Sequence, residues 1–180
     1  MTQGIASSSL HLRVPEAEDA PKLHRLVAAC PPLDANSLYC NLLHCTHFAS
    51  TSVAATMISG TPGDDRLLGF ISAYIPPGQP DTLFVWQVAV AAEARGQGLA
   101  GRMLTSLLER PACAQVRYVD TTITPGNQAS WALFESWASR RGASVSKSLH
   151  FECNRHFEGR HDDEHLLRIG PLERVAKAIA

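Results

Sequence analysis

Residues 83–100 read LFVWQVAVAAEARGQGLA, and this stretch decides the fold of the chain. Its first half, residues 83–90, is a mostly apolar run of the length that a buried central strand shows. Its second half places Gly96 and Gly98 directly before a leucine-rich segment with helical spacing. A strand, a glycine-containing loop and a helix in this order present backbone N–H groups at a helix N-terminus. Such an arrangement binds anions, including phosphates.

The segments on either side predict one sheet with helices on its faces. Apolar periodicity predicts strands at residues 10–14, 51–58, 67–75, 83–90, 116–123, 144–153 and 164–169. It predicts helices at residues 20–30, 38–43, 99–109 and 129–141. The order β-α-α-β-β-β-α-β-α-β-β describes a mixed, mostly antiparallel sheet flanked by helices, a fold of the α/β or α+β class.

Two local features of these elements are open to test. Asp34 or Asn36 is expected to cap the second helix, which carries one apolar stripe. The residues of that stripe are Leu38, Tyr39, Leu42 and Leu43. A turn over residues 60–65 is expected to join the second and third strands.

Bulk properties restrict the class of protein. The 180 residues, 45% of them hydrophobic, predict a flexible tail at residues 1–9 and one domain over residues 10–180. A formal charge of -1 with scattered basic residues gives no reason to expect nucleic acid or a membrane as partner. Five irregularly spaced cysteines predict reduced thiols and a cytoplasmic location.

The pattern Arg95-x-x-Gly98-x-Ala100 resembles the pyrophosphate loop of the GNAT acetyltransferases. The resemblance implies acetyl-CoA as co-substrate, with the pantetheine arm along the preceding strand and the Val88 N–H as oxyanion donor. The implied cofactor-binding residues are Val88, Ala89, Val90, Arg95, Gly96, Gln97, Gly98, Leu99, Ala100 and Asn127. The alternatives are an ordinary tight turn, or a dinucleotide-binding loop with Asp120 at the ribose.

Longer segments make the chain similar to the L-2,4-diaminobutyrate acetyltransferases of ectoine biosynthesis. The matching segments lie at residues 33–39, 45–49, 84–90 and 161–169. The resemblance implies transfer of an acetyl group to the γ-amine of L-2,4-diaminobutyrate, and a homodimer. A GNAT enzyme for another small amine or a peptide N-terminus, or a non-catalytic acyl-CoA sensor, stays open as an alternative.

Residues of suitable chemistry accompany that small zwitterionic substrate. An acidic group can bind an ammonium group, a phenol can form a hydrogen bond, and an aromatic face can attract a cation. The expected substrate-binding residues are Asp34, Tyr39, Trp86, His161 and Asp162, and the expected catalytic residues are Val88, Trp86 and Tyr39. The competing structural roles are a helix cap for Asp34 and packing for the two aromatic residues.

Two further expectations concern what the site lacks. Many GNAT enzymes place a tyrosine acid on the helix after the fifth strand, and the matching position here is Phe134. His161 and His165 have a spacing seen in metal sites, but further ligands with suitable spacing are missing. We therefore expect no metal, and we leave the general acid unassigned.

Overall fold

The structure, a computed structural model, describes residues 9–58 and 65–173. Residues 1–8 of the predicted tail 1–9, and all of the predicted turn except Asp65, lie outside these residues. The tail prediction was wrong for Ser9, which is the first residue of a strand that pairs with Ile58. The described strands are β1 (Ser9–Arg13), β2 (Val53–Ile58), β3 (Arg66–Tyr74), β4 (Thr82–Val90), β5 (Tyr118–Ile123), β6 (Val145–Phe151) and β7 (Glu164–Ile169). The described helices are α1 (Ala20–Ala28), α2 (Leu38–Cys45), α3 (Leu99–Leu108), α4 (Gln128–Arg140) and α5 (Cys153–His156).

All predicted strands and helices are confirmed, with ends that differ by a few residues. The short helix α5 was not predicted, because its four polar residues carry no apolar periodicity. The predicted cap of α2 was wrong. Ser37 is the N-cap, and its hydroxyl oxygen accepts a hydrogen bond from the N–H of Cys40 at 3.0 Å.

The sheet has seven strands among the described residues, in the order β1-β2-β3-β4-β5-β7-β6. The pairs β1–β2, β2–β3, β5–β7 and β6–β7 are antiparallel, and β4 and β5 are parallel. The predicted mixed, mostly antiparallel sheet is confirmed. Two compact units divide the chain: an N-terminal unit (Met1–Tyr74 and Gln87–Cys113) and a C-terminal unit (Ile75–Trp86 and Ala114–Ala180).

The core of the N-terminal unit lies between α1 and strands β2 to β4. Leu23, Leu26 and Val27 of α1 pack in one buried cluster with Phe70 of β3 and Ala89 of β4. Each fully buried leucine or valine contributes about 1.5–3 kcal/mol relative to exposure. This packing stabilises α1. Pro21 is tolerated in its first turn, because an N–H at that position has no helical acceptor.

Helix α3 covers the other face of β3. A Cβ atom on Gly69 would lie 2.9 Å from Cε of Met103 and 3.3 Å from Cδ2 of Leu99, so a larger residue there would require these side chains to shift. Neighbouring residues of a strand point to opposite faces, and Phe70 faces α1. The two helices therefore enclose β3, and α3 begins at a fixed place beyond the end of β4.

The C-terminal unit contains an ion pair between two neighbouring strands, in which the carboxylate is buried and the guanidinium is partly exposed. Asp120 of β5 accepts hydrogen bonds from Nε and Nη2 of Arg168 of β7, at 2.9 and 2.7 Å. The hydrogen bonds to Asp120 outweigh the effect of burial and raise the pKa of Arg168. Asp120 therefore has a structural partner, which disfavours the ribose-binding alternative.

Candidate active site

The loop between β4 and α3 has the backbone geometry that the sequence predicts. Gly96 and Gly98 adopt left-handed φ angles of 73° and 72°, and Gly98 is the N-cap of α3. A Cβ atom at either position would meet nothing within 4 Å, so the loop presents bare backbone to open space. The glycines thus serve both the backbone conformation and close approach to the main chain.

The first turn of α3 supplies donors for an anion. The carbonyl of Gly98 accepts the first helical bond, from the N–H of Arg102 at 3.1 Å. The N–H groups of Leu99 and Ala100 precede that bond, and groups at this position have no acceptor within their own helix. The positive end of the helix dipole lies at the same place. This turn can hold the pyrophosphate of a coenzyme.

Side chains of the loop connect it to the end of β4 and to Cys30. Nε of Arg95 donates to the carbonyl of Val90 at 3.0 Å, and Nη2 of Arg95 lies 3.4 Å from Sγ of Cys30. Nε2 of Gln97 donates to the carbonyl of Glu93 at 2.8 Å. The structure therefore gives Arg95 and Gln97 a bracing role, and direct contact of their side chains with a phosphate stays a prediction.

Strand β4 carries the other residues expected at the reaction. Ala89 is buried, whereas Val88 and Val90 are half-buried. Trp86, in the C-terminal unit, is 48% exposed and is one of the exposed large apolar side chains. Exposure of this indole is compatible with a binding role, because a core tryptophan would be covered by the chain's own side chains.

The segment before α2 is irregular and holds Asp34. It runs from Leu33 to Ser37, and both Asp34 and Ala35 are exposed. Since Ser37 caps α2, the cap role weighed for Asp34 belongs to another residue. Asp34 is therefore not the N-cap of α2, and its role as an ammonium ligand stays a prediction.

Gln87 ties this segment to β4, and sequence reasoning assigned it no role. Its Nε2 donates to the carbonyl of Asp34 at 3.0 Å, and its Oε1 accepts from Nδ2 of Asn36 at 3.0 Å. A signal was present in the sequence, since Gln87 is the one amide within the otherwise apolar run of residues 83–90.

Helix α2 buries a polar face and exposes part of its apolar stripe. Tyr39 is 70% exposed and Leu38 is also exposed, while Asn41 and His44 are buried. This exposure argues against packing in the core, the competing structural role for Tyr39, and its roles in substrate binding and catalysis stay predictions. Burial lowers the pKa of His44, so its imidazole is neutral near pH 7 and adds no charge to the buried face of α2.

Asn127 lies at the start of α4, where the sequence predicts a pantetheine contact. Its Oδ1 accepts a hydrogen bond from the N–H of Ser130 at 3.1 Å, which makes it the N-cap of α4. The amide nitrogen of the same side chain is the group that can donate to a coenzyme carbonyl. The cofactor contact of Asn127 stays a prediction.

His161 has a defined tautomer in the loop before β7. Its Nδ1 lies 2.8 Å from the carbonyl of Asp162, and because a carbonyl only accepts, Nδ1 carries the proton. In the neutral ring Nε2 is then the basic atom, and it lies 3.8 Å from Oε1 of Glu164. The ring of Phe157 packs against the imidazole in a tilted arrangement, at a centroid distance of 4.7 Å. This arrangement suits a proton relay, whereas Asp162 is exposed and contributes its carbonyl.

Three further functional groups come into question among the described residues: a general acid at Phe134, a metal site and a reactive thiol. Phe134 is buried at 2% exposure in α4 and has no proton to give. Among the described residues, no group of three histidine, cysteine or carboxylate side chains is arranged to hold a metal ion. Burial raises the pKa of Cys45 to about 12 and that of Cys113 to about 11, so these free thiols stay protonated. In the same ranges, no helix is long and apolar enough to cross a membrane.

Within each unit, the structure brings together part of the predicted set. The N-terminal unit joins Arg95 to the end of β4 and joins the Asp34 backbone to Gln87 beside Val88. The C-terminal unit joins His161 to Asp162 and Glu164. Sequence reasoning missed Gln87, Ser37 and Glu164.

A strand, a positive-φ glycine loop and a helix N-terminus on such a sheet define a class of coenzyme-binding transferases. The model of the Acetyltransferase (GNAT) family matches residues 17–138, which include β4, the glycine loop and α3. The NatC complex bound to Gag peptide and CoA has a similar fold, with a TM-score of 0.69 over 92% of this chain at 14% identity.

More similar proteins narrow the class. The L-2,4-diaminobutyric acid acetyltransferase of Methylotuvimicrobium alcaliphilum is 49% identical over 91% of this chain and 92% of its own. That of Chromohalobacter salexigens is 44% identical over 94% and 85%. The structure of diaminobutyrate acetyltransferase EctA from Paenibacillus lautus, in complex with L-2,4-diaminobutyric acid and coenzyme A, superposes with a TM-score of 0.84. It is 37% identical and covers 93% of this chain and 98% of its own. This chain belongs to the GNAT acetyltransferases and, within them, to the family of the L-2,4-diaminobutyric acid acetyltransferases.

Proposed function

We propose that the protein transfers the acetyl group of acetyl-CoA to the γ-amine of L-2,4-diaminobutyrate, giving N4-acetyl-L-2,4-diaminobutyrate for ectoine biosynthesis. The observation that carries the proposal is the similarity to curated relatives at 42–49% identity over most of the chain. The EctA structure, at 37% identity, holds both diaminobutyric acid and coenzyme A. The positive-φ glycine loop supports the coenzyme part independently, from this chain's own geometry.

The reaction makes one C–N bond and breaks one C–S bond. The neutral γ-amine attacks the thioester carbonyl, the carbonyl oxygen gains negative charge, and the thiolate leaves as the carbonyl re-forms. The nitrogen loses a proton and the departing sulfur gains one. An amine with a pKa of roughly 10 is mostly protonated at neutral pH, so it must lose a proton before it can attack. A base must accept this proton from the ammonium group directly or through water.

The roles of individual residues follow from this requirement. The Val88 N–H stabilises the oxyanion, and the N–H groups of Leu99 and Ala100 hold the pyrophosphate. Asp34 and Trp86 bind cationic groups of the substrate, and Tyr39 adds a hydrogen bond. His161 Nε2 accepts the amine proton through a relay, supported by the proton fixed on its Nδ1. Asp162 orients His161 through its carbonyl.

Broader statements complete the proposal. Residues 10–180 act as one acetyltransferase domain in the cytoplasm. Ectoine biosynthesis, the pathway to which the reaction belongs, protects the cell under osmotic stress. All five thiols are free, which supports a reducing compartment. The protein acts as a homodimer, a proposal supported by the edge strand β6, where Val145, Leu149 and Phe151 are all exposed.

The substrate assignment is tested by thiol release from acetyl-CoA with a panel of amines. Purified protein is offered L-2,4-diaminobutyrate, lysine, ornithine, spermidine and a short peptide, and kcat/KM is compared across the panel. We expect diaminobutyrate to be preferred by at least about tenfold, the discrimination that one methylene can give. Preference for another amine would refute the substrate, and coenzyme binding without turnover of any amine would indicate a sensor.

A further inference from the structure

Gln87 forms a two-pronged hydrogen-bonded link between β4 and the segment from Leu33 to Ser37. One prong is its donation to the Asp34 carbonyl, and the other is its acceptance from the Asn36 side chain, each at 3.0 Å. The partners lie 53 and 51 residues away in sequence. A single side chain therefore fixes both the backbone and a side chain of this segment.

The orientation of the Gln87 amide is determined by its partners. The Asp34 carbonyl can only accept, so the amide nitrogen of Gln87 must face it. The amide oxygen then faces Asn36 and selects the nitrogen of that side chain as donor. Leucine in this position would remove both bonds, and glutamate would place a carboxylate oxygen against the Asp34 carbonyl.

The position of Gln87 on the strand makes this link unusual. Side chains alternate along β4, and the residues on the same side as Gln87, namely Val85 and Ala89, are buried. Gln87 itself is half-buried, so its amide loses part of its hydration and the two hydrogen bonds replace it. The same face of β4 contacts the α1 cluster through Ala89.

The linked segment has little other regular structure to hold it. Residues 34–37 belong to no helix or strand, although Ser37 caps α2 at the far end. Ordering each backbone residue costs about 1–2 kcal/mol, which contacts of the segment must offset. Gln87 supplies contacts at the residue that carries the proposed ammonium ligand.

We propose that Gln87 is a positioning residue, which holds the Asp34–Asn36 backbone in the conformation that binds the substrate's ammonium group. The inference rests on the proposed function, because it assigns Asp34 to the substrate. Without the link the segment samples other conformations, and the apparent affinity for the diamino acid falls with the fraction of competent molecules. Coenzyme binding, which uses the glycine loop, does not depend on the link.

The test compares Gln87→Leu, Gln87→Glu and Asn36→Ala with the wild-type protein and with Gln115→Leu, a matched change at an exposed glutamine. We expect KM for diaminobutyrate to rise about tenfold in both Gln87 variants, as a drop of the competent fraction to one tenth would give. We expect a smaller rise, about threefold, in Asn36→Ala, which loses one hydrogen bond. KM for acetyl-CoA, kcat and Tm should stay near the values of the Gln115→Leu control.

A second measurement follows the segment without any substrate. The protease Asp-N cleaves before aspartate, so its rate of cleavage between Leu33 and Asp34 reports opening of the segment. We expect faster cleavage there in Gln87→Leu than in Gln115→Leu, with other sites unchanged.

The two measurements separate the failures. Unchanged KM for diaminobutyrate in Gln87→Leu would overturn the positioning role. A lower Tm together with a lower kcat and equal rises in the KM values of both substrates would also overturn it, because these changes indicate a general loss of structure. If the wild-type protein does not acetylate diaminobutyrate, the proposed function fails. The cleavage rates then still decide whether Gln87 holds the segment.

Discussion

The glycine loop and the segment from Leu33 to Ser37 both lead into a helix, but their geometry has different origins. In the loop, the φ angles of Gly96 and Gly98 and the N-cap of α3 depend on residues within the loop. In the segment, the N-cap is local, yet the backbone at Asp34 is held by Gln87, 53 residues later. A coenzyme shared by a superfamily can be bound by local backbone geometry. A particular amine requires side chains that long-range contacts position.

Gly98→Val is the largest expected disruption, and it acts on the loop alone. Valine is strained at a φ of 72°, and its side chain would occupy the open space where the pyrophosphate is proposed to lie. We expect acetyl-CoA affinity measured by calorimetry to fall about a hundredfold, which equals about 2.7 kcal/mol.

Gly78→Val is the matched control for this change. Gly78 has a φ of 80° and open space around its Cβ position, but it lies in another loop. Gly78→Val should lower Tm about as much as Gly98→Val, because both changes strain the backbone, but it should keep the affinity for acetyl-CoA. Equal affinities in the two variants would contradict the phosphate role of the glycine loop.

Asp34→Asn acts on the other region and should spare the coenzyme. Loss of the carboxylate removes a charge-assisted contact to ammonium, and we expect kcat/KM for diaminobutyrate to fall about thirtyfold. KM for acetyl-CoA should be unchanged in steady-state kinetics. Glu18→Gln, which neutralises an exposed carboxylate in the same unit, is the control. If both variants lose activity equally, Asp34 has no specific role.

Ser37→Ala is the smallest expected effect and concerns stability. The hydroxyl of Ser37 caps α2, so its loss should lower the free energy of unfolding by about 1 kcal/mol in urea titration. Asn36→Ala should leave the cap intact and lose less. If Asn36→Ala lowered the free energy of unfolding more than Ser37→Ala, Asn36 would be the cap of α2. The case that its side chain helps to position Asp34 would then be weaker.

Features determined by nearby residues could be predicted from the sequence, whereas features that depend on long-range contacts could not. The strand at residues 83–90, the glycine loop and α3 could be predicted because apolar periodicity and glycine act over a few residues. The two open proposals for the cap of α2 failed, although Ser37 stands directly before the first apolar residue of the helix. Gln87 and the exposure of Tyr39 depend on which face of an element the rest of the chain covers. No local pattern determines that choice.

The position of the acetyl group on the product tests the central claim most directly. The wild-type protein is incubated with acetyl-CoA and L-2,4-diaminobutyrate, and the product is examined by mass spectrometry and two-dimensional NMR. The account predicts a single acetyl group whose carbonyl carbon correlates with the γ-methylene protons, with the α-amine unmodified. An acetyl group on the α-nitrogen, or no acetylated product, would contradict it.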